Sequence, residues 1–550
     1  GTRRDQPGRL IRCNLPLAGT VVHDKAGPSI VISFLCAGFA ALMSAFSYAE
    51  FGARFPRAGS AYTYAYVGVG ELWAFVIGWT VILEYMIGNA AVARSWSGYL
   101  DNLVNRAISN FTLNTIGTLS SGEGFFGRYP DVMSFLLICL VAVIVALGSK
   151  SSASVNTAFV FLNLGVIAFI SIYGFTYADF SLWIGTDESG KSKFFPFGIG
   201  GTLSGAAACF FAFIGFEALA TAGEEARNPR RTIPLATFGC MGIVIFVYVI
   251  MSSSLTLMIP YDQVSPDAAF AQAFDSKGAT AAKYIITVGA LAGMLNNLVS
   301  GAFALPRCVY AMADDGLLFA FFASINRVTK VPLNAIIVFT LMNAVLALIF
   351  DLEALVEFLS IGTLLAYSVV SACVLILRHK AAPLDGDPTR FDNGGRLKTW
   401  VPLRKYWEDV PEGRSICVAV IFLVFGFFWL AFTIRLGLFF TIPGYISVGF
   451  SALLIVMAFL FICGHEQNSL DLNFRVPCVP LIPSLGLLIN IFMMAFLDYL
   501  TWIRFFVWMA IGLVIYFLYG IHHSKEGKKL RVVVAEPSLS TITKQTYDMK

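Results

Sequence analysis

From Ser29 to Ile521 the chain alternates apolar stretches of about 20 residues with shorter polar segments. At about 1.5 Å of rise per residue, that is the length a helix needs to cross the hydrocarbon of a bilayer. Spans are read near residues 28–48, 70–98, 131–148, 155–178, 197–222, 234–258, 283–312, 332–350, 354–377, 416–434, 442–463, 480–497 and 501–521. These come to about thirteen helices and predict an all-α polytopic membrane protein. A polar, Gly- and Pro-rich loop at 381–414 separates a core at 28–380 from a four-helix region at 415–522. An atypical segment at 1–27 and a polar tail at 523–550 flank them.

Composition agrees. Of the 550 residues, 57% are apolar and only 13% charged, where soluble domains carry about a quarter charged. The basic first stretch is not followed by a short apolar core and a cleavage site, so the first span is expected to act as the insertion signal.

The placement of charge predicts sidedness. Loops with Arg54 and Arg57, with Arg227, Arg230 and Arg231, with Arg327 and Lys330, and with Arg390, Arg396, Lys398, Arg404 and Lys405 read as cytoplasmic. The tail with Lys525, Lys528 and Lys529 joins them. Loops with Asp179, Asp187 and Glu188, then Asp262, Asp267 and Asp275, read as outer. The sequon Asn110-Phe111-Thr112 falls on that outer side, where a glycan can be attached. No cysteine falls in an outer loop, so no extracellular disulfide framework is implied. An odd number of spans with an inner tail puts the N-terminal segment outside, against its excess of Arg3, Arg4, Arg9 and Arg12 over Asp5. Either the topology is unusual or a span belonging before Ser29 is missing, and the missing span is the expectation.

Two spans carry carboxylates. In CFFAFIGFEALATAGEEARNPRRTIP, Cys209 to Pro234, Gly215 follows the β-branched Ile214, and Glu217 stands two residues on. Unwound backbone at that depth is tolerated only around a protein-enclosed cavity, where exposed carbonyls can hold an ammonium and exposed amides an anion. The alternative is a glycine that merely lets helices pack closely. In GWTVILEYMIGNAAVARSWSGYL, Glu84 lies deep in its span. Arg94 is ten positions away, about 15 Å of rise, so the two cannot pair locally. A cationic ligand is one candidate partner for Glu84, and an interhelical hydrogen bond is the other. Glu71 reads as a helix-start residue or a ligand, Glu224 and Glu225 with the arginines that follow as an inner salt-bridge cluster, and Asn296 and Asn297 as interhelical donors. No P-loop, zinc spacing or hydrolase nucleophile appears, so neither pump nor enzyme is indicated, and no cofactor, metal or nucleic-acid partner is called for.

The stretches YAEFGARFPRAGSAYTYAYVGVGELWAF, FFAFIGFEALATAGEEARNPRRTIP, LPRCVYAMADDGLLF, LSIGTLLAYSVVSACVLILRHK and TWIRFFVWMAIGLVIYFLYGIHHS, in that order, resemble the cationic amino acid transporters. These are a branch of the amino acid, polyamine and organocation superfamily. ILEY with AAVARSWSGYLD is closest to the type 4 branch. The likeness covers roughly residues 15–525. It implies a leucine-transporter-like fold of two inverted five-helix repeats with four further helices, 13 of an expected 14 spans being present.

It also implies that the span at 197–222 is the broken sixth helix. There the carbonyls of Phe211, Ala212 and Ile214, with Gly215 at the break, would hold the substrate's α-ammonium. The family's glycine-rich first helix has no match here, the likeness beginning at LAGTVVHDKAGPSIV. Where proton-coupled relatives place a lysine on the fifth helix, VNTAFVFLNLGVIAF has Asn163, which does not titrate, so facilitated diffusion is expected. The function implied is facilitative transport of amino acids, cationic ones such as arginine, lysine and ornithine favoured by Glu84. It is set in the plasma membrane or an intracellular one. The alternative is a non-transporting amino acid sensor, a regulatory membrane protein or an inactive truncated form. The relatives that bond to a heavy chain use an outer-loop cysteine. The loop Asp101 to Pro130 has none, so no disulfide-linked heavy chain is expected.

Overall fold

The computed structural model describes residues 19, 21–54, 62, 65, 70–104, 106–119, 126–127, 129–146, 152–186, 190, 192–216, 229–264, 269–326, 329, 331–381, 394–399, 401, 414–438, 441–469, 474–497 and 499–525. The N-terminal 18 residues, Glu217, Glu224, Glu225, Arg227 and most of the 381–414 loop lie outside the described residues.

Among the described residues, every apolar stretch read from the sequence contains a helix. The helices are α1 (Ile30–Arg54), α2 (Glu71–Leu103), α3 (Ala107–Thr115), α4 (Val132–Ala146), α5 (Ser152–Phe175), α6 (Gly198–Phe210), α7 (Pro229–Met258), α8 (Ala269–Ser276), α9 (Thr280–Asp314), α10 (Leu333–Ile349), α11 (Leu352–Arg378), α12 (Arg414–Arg435), α13 (Ile442–Cys463), α14 (Leu481–Ala495) and α15 (Tyr499–Ile515). Among the described residues, eight helical stretches are long and apolar enough to span a bilayer and five more are shorter and apolar, while α3 and α8 are short connecting helices. Backbone groups in lipid must be satisfied within the segment, which is why runs of this composition are helical.

The largest departure from the expected spans is the segment read as 197–222, whose α-helix stops at Phe210.

Two packed groups meet in the core. α1 lies against α7, α6, α14 and α11, and α2 lies against α9, α11, α10 and α4. Small residues on α1 allow the first contact. A Cβ on Gly38 would fall 2.5 Å from the Ile245 side chain, so only glycine lets α7 come this close. In the second group the Trp79 and Trp508 rings stack at 4.4 Å. Each indole N–H donates to the other residue's carbonyl, at 2.9 and 3.2 Å. The outer rim is apolar outward: Leu453, Met457 and Leu460 of α13 are exposed, as lipid-facing side chains are.

The ends assigned to one side by charge are brought together. On the side read as cytoplasmic, Glu71 at the start of α2 accepts hydrogen bonds from Tyr516 (3.2 Å) and Ser524 (2.5 Å) beyond α15. Lys525 pairs with Asp314 at the end of α9. Glu71 is thus both a first-turn residue and an anchor for the C-terminal segment. At the opposite end, read as outer, buried Arg94 pairs with Asp131 at 3.6 Å and donates to the Ala347 carbonyl at the end of α10. Asp131 in turn accepts from Ser97 and Ser134. Arg94 is therefore committed ten residues away from Glu84, as helix geometry requires.

A further contact closes the C-terminal end of α11. Asn468, just after α13, donates to the carbonyls of Leu377 and Lys380, and Leu397 bridges His465 in an antiparallel pair. His379 is enclosed there, its Nδ1 2.7 Å from the Leu375 carbonyl. Burial, with His465, Lys398 and Arg378 nearby, pushes its pKa down to about 4, against the helping contact from Leu375. A neutral histidine in the fold is stabilising above the unfolded pKa of about 6.5, and this is lost as pH falls toward 4. Acidification from pH 7 to 5 is expected to lower the melting temperature of the detergent-solubilised protein, and His379→Gln to flatten that dependence. An unchanged slope in the variant would assign the acid sensitivity elsewhere.

Candidate functional site

The site is built around the end of α6. After Phe210 the backbone tightens into a 3-10 turn, Phe211–Phe213, and then a non-helical turn over 214–216. Gly215 has φ of +122° and no atom within 4 Å of where a Cβ would stand. Space does not demand glycine there, but the backbone conformation does, since a side chain at that φ is strained. The 3-10 turn sets residues three apart over one another, and Phe210, Phe213 and Phe216 are accordingly all buried.

Those rings hold the interrupted segment between two aromatic groups. On one side Phe34 of α1 stacks on Tyr248 of α7 at 5.1 Å, and Phe213 meets Tyr248 edge-on at 5.4 Å. On the other, Phe216 packs on Tyr367 of α11 at 5.0 Å and on Tyr48 of α1 at 5.6 Å, and those two tyrosines touch at 5.3 Å. Edge-to-face and offset arrangements of this kind add directional attraction to ordinary burial. Of the expected carbonyls, that of Ala212 accepts a hydrogen bond from the Tyr248 hydroxyl at 3.0 Å.

The remaining expected site residues lie on other elements. Glu84 is 6% exposed, at mid-length on α2, the helix that packs against α9. It belongs to the second packed group, whereas the interruption belongs to the first. Asn163 of α5 lies over Gly293 of α9, where an added Cβ would fall 2.6 Å from its amide oxygen. Asn110 is exposed on α3, beyond the outer end of α2. Asn296 is half-buried and Asn297 exposed, with Ser300 donating to the Asn296 carbonyl.

Two features were not singled out from sequence. Glu50 and Arg378 form a buried ion pair, with Nε to Oε1 at 2.9 Å and Nη2 to Oε2 at 3.0 Å, and the Val476 N–H donates to the same carboxylate at 2.7 Å. An acid in the last turn of a span was the available signal, but Arg54 four residues on is the obvious local partner. Tyr248 gave no signal, being one aromatic in an apolar run.

Such an arrangement can bind a donor group on backbone oxygen inside a membrane, with aromatic walls excluding water. Comparison with known proteins identifies the family. The family model described as amino acid permease matches residues 15–463, and that of the C-terminus of the same permeases matches residues 474–524. The protein named cationic amino acid transporter 4 of Mus musculus is 40% identical over 544 residues, covering 93% of this chain and 85% of its own. Its Homo sapiens namesake is 41% identical over 545 residues, with the same shares covered. From Arabidopsis thaliana, a protein named cationic amino acid transporter 4, vacuolar, is 34% identical over 570 residues, covering 97% of this chain and 92% of its own.

Proposed function

The chain belongs to the amino acid permease family, and we propose that it carries amino acids, cationic ones above all, across a membrane by facilitated diffusion. The observation that carries this reading is the interruption of α6 at Phe211–Phe216. The carbonyls of Phe211, Ala212 and Ile214 there receive the α-ammonium of the substrate, and Gly215 provides the turn that exposes them. Glu84, on the facing group of helices, receives the cationic end of a lysine or arginine side chain, which is long enough to reach between two helix groups. In the leucine-transporter-like arrangement that the resemblance implies, both groups would border one substrate path. Asn163 carries no proton at the coupling position, so the substrate gradient and the membrane potential supply the drive. The curated relatives named above include cationic amino acid transporters, which supports the substrate class.

Purified protein in liposomes tests this directly. Labelled lysine should enter saturably, compete with arginine and be indifferent to an imposed proton gradient. An inside-negative potential of about 100 mV should favour its accumulation about fiftyfold, the equivalent of ~2.3 kcal/mol on one charge. Uptake that requires a proton gradient would overturn the uncoupled mechanism, and absence of amino acid flux would overturn the function.

We place the protein in the plasma membrane with Asn110 outside and without a disulfide-linked heavy chain. Asn110→Gln is then expected to abolish the mass shift produced by glycosidase on surface-labelled protein. A glycosidase-sensitive variant would remove Asn110 as the acceptor and with it this support for the topology.

A further inference from the structure

We infer that Tyr248 is a stand-in donor, occupying the substrate's place on the Ala212 carbonyl while the carrier is empty. This rests on the carrier reading above and adds to it a residue that governs the return half of the cycle.

The argument begins with the backbone. Past Phe210 the α-helical ladder ends, and a carbonyl there no longer has an α-helical N–H donor four residues on. A carbonyl shut away from water without a donor is costly, and the cost recurs each time an empty carrier closes around its site. In this structure the Ala212 carbonyl has the Tyr248 hydroxyl at 3.0 Å. The donor is held in place from both sides, by Phe34 at 5.1 Å and Phe213 at 5.4 Å. Both partners belong to the same helix group, because α1 packs on α6 and on α7. The bond can accordingly persist if that group moves as a unit.

The chemistry of the two donors makes the exchange reversible. A phenol offers one neutral O–H, whereas an α-ammonium offers three N–H groups and a charge, and charge-assisted bonds are about twice as strong. A carbonyl oxygen has two lone pairs, so an arriving ammonium can share it or displace the weaker donor. When the substrate leaves, the hydroxyl satisfies the oxygen again. A carrier working by facilitated diffusion must return empty to complete net transport, whereas in exchange it returns loaded. Tyr248 therefore matters to net flux and much less to exchange.

The test uses the full chain in liposomes, with labelled lysine entering either empty vesicles or vesicles preloaded with unlabelled lysine. Tyr248→Phe keeps the ring and removes the hydroxyl. It is expected to lower the ratio of net uptake to exchange about threefold, in line with one half-buried carbonyl left without its donor. Phe34→Leu keeps the hydroxyl but loosens its ring, and should lower the same ratio by a smaller factor. If wild-type protein transports and Tyr248→Phe leaves the ratio unchanged, the inference is overturned and the carrier reading stands. If Tyr248→Phe does not reach the membrane folded, an unchanged ratio in Phe34→Leu overturns the inference. Wild-type protein with neither net uptake nor exchange of any amino acid overturns both.

Discussion

Glu50→Gln is expected to abolish recovery of monodisperse protein from membranes, or to lower its melting temperature by several degrees where some survives. The Glu50 and Arg378 side chains are each 3% exposed and joined by two contacts at 2.9 and 3.0 Å. The carboxylate also accepts the Val476 N–H. Glutamine preserves the shape and removes the charge, leaving the Arg378 guanidinium buried without compensation. Breaking a buried pair in this way costs about 3–5 kcal/mol, a large part of the roughly 5–15 kcal/mol that stabilises a typical fold. Removing both charges together is different, since well-packed apolar substitutes for a buried pair are often neutral. Glu50→Leu with Arg378→Met should therefore recover more protein than Glu50→Gln alone. The exchange Glu50→Arg with Arg378→Glu should not, because the Val476 N–H would lose its acceptor. Size-exclusion profiles of the four proteins decide this, and a wild-type profile for Glu50→Gln would show that the pair does not hold the inner ends together.

The ion pair also shows where sequence reading stops. Membrane spans are legible because the length of an apolar run is local information. Among the described residues each run read here contains a helix, with ends within about six residues except at α6. The interruption itself was legible for the same reason, since Ile214 followed by Gly215 is a local sign of a weak helix, and the residue has the φ of +122° that favours glycine. Glu50 and Arg378, by contrast, are 328 positions apart, and Tyr248 and Ala212 are 36 apart. Nothing periodic links such pairs. The local cue was incomplete in one case, because Glu50 acts on Arg54 four residues on and also pairs with Arg378 of α11. Burial of the acid against α11 is a property of packing and has no signature in a single chain. Glu84 is intermediate. Its depth in the span was legible, and so was its inability to meet Arg94, which the structure pairs with Asp131. That its helix packs on α9 was not.

Glu84→Gln is the substitution expected to separate substrates most sharply. Under the proposed function the α-ammonium of every amino acid meets the interrupted backbone, so that contact cannot tell lysine from a neutral substrate. Discrimination must come from a charge, and Glu84 is a carboxylate 6% exposed at mid-length on α2. A charge at that depth is expensive to hold and is kept for function by default. A lysine or arginine side chain pairing with it would gain on the order of 3 kcal/mol in a dry site, which is more than a hundredfold in apparent affinity. A wetter cavity would reduce the factor and leave its direction intact. Lysine and arginine uptake by Glu84→Gln should then need a concentration higher by about two decades to reach half-saturation, while uptake of a neutral amino acid of similar size shifts by less than about threefold. The neutral substrate is the internal control, because it reports folding, orientation in the membrane and the integrity of the backbone site in the same vesicles. If lysine and the neutral amino acid are weakened in the same proportion, Glu84 serves the packing of α2 against α9, and selectivity for cations has to be sought on another side chain.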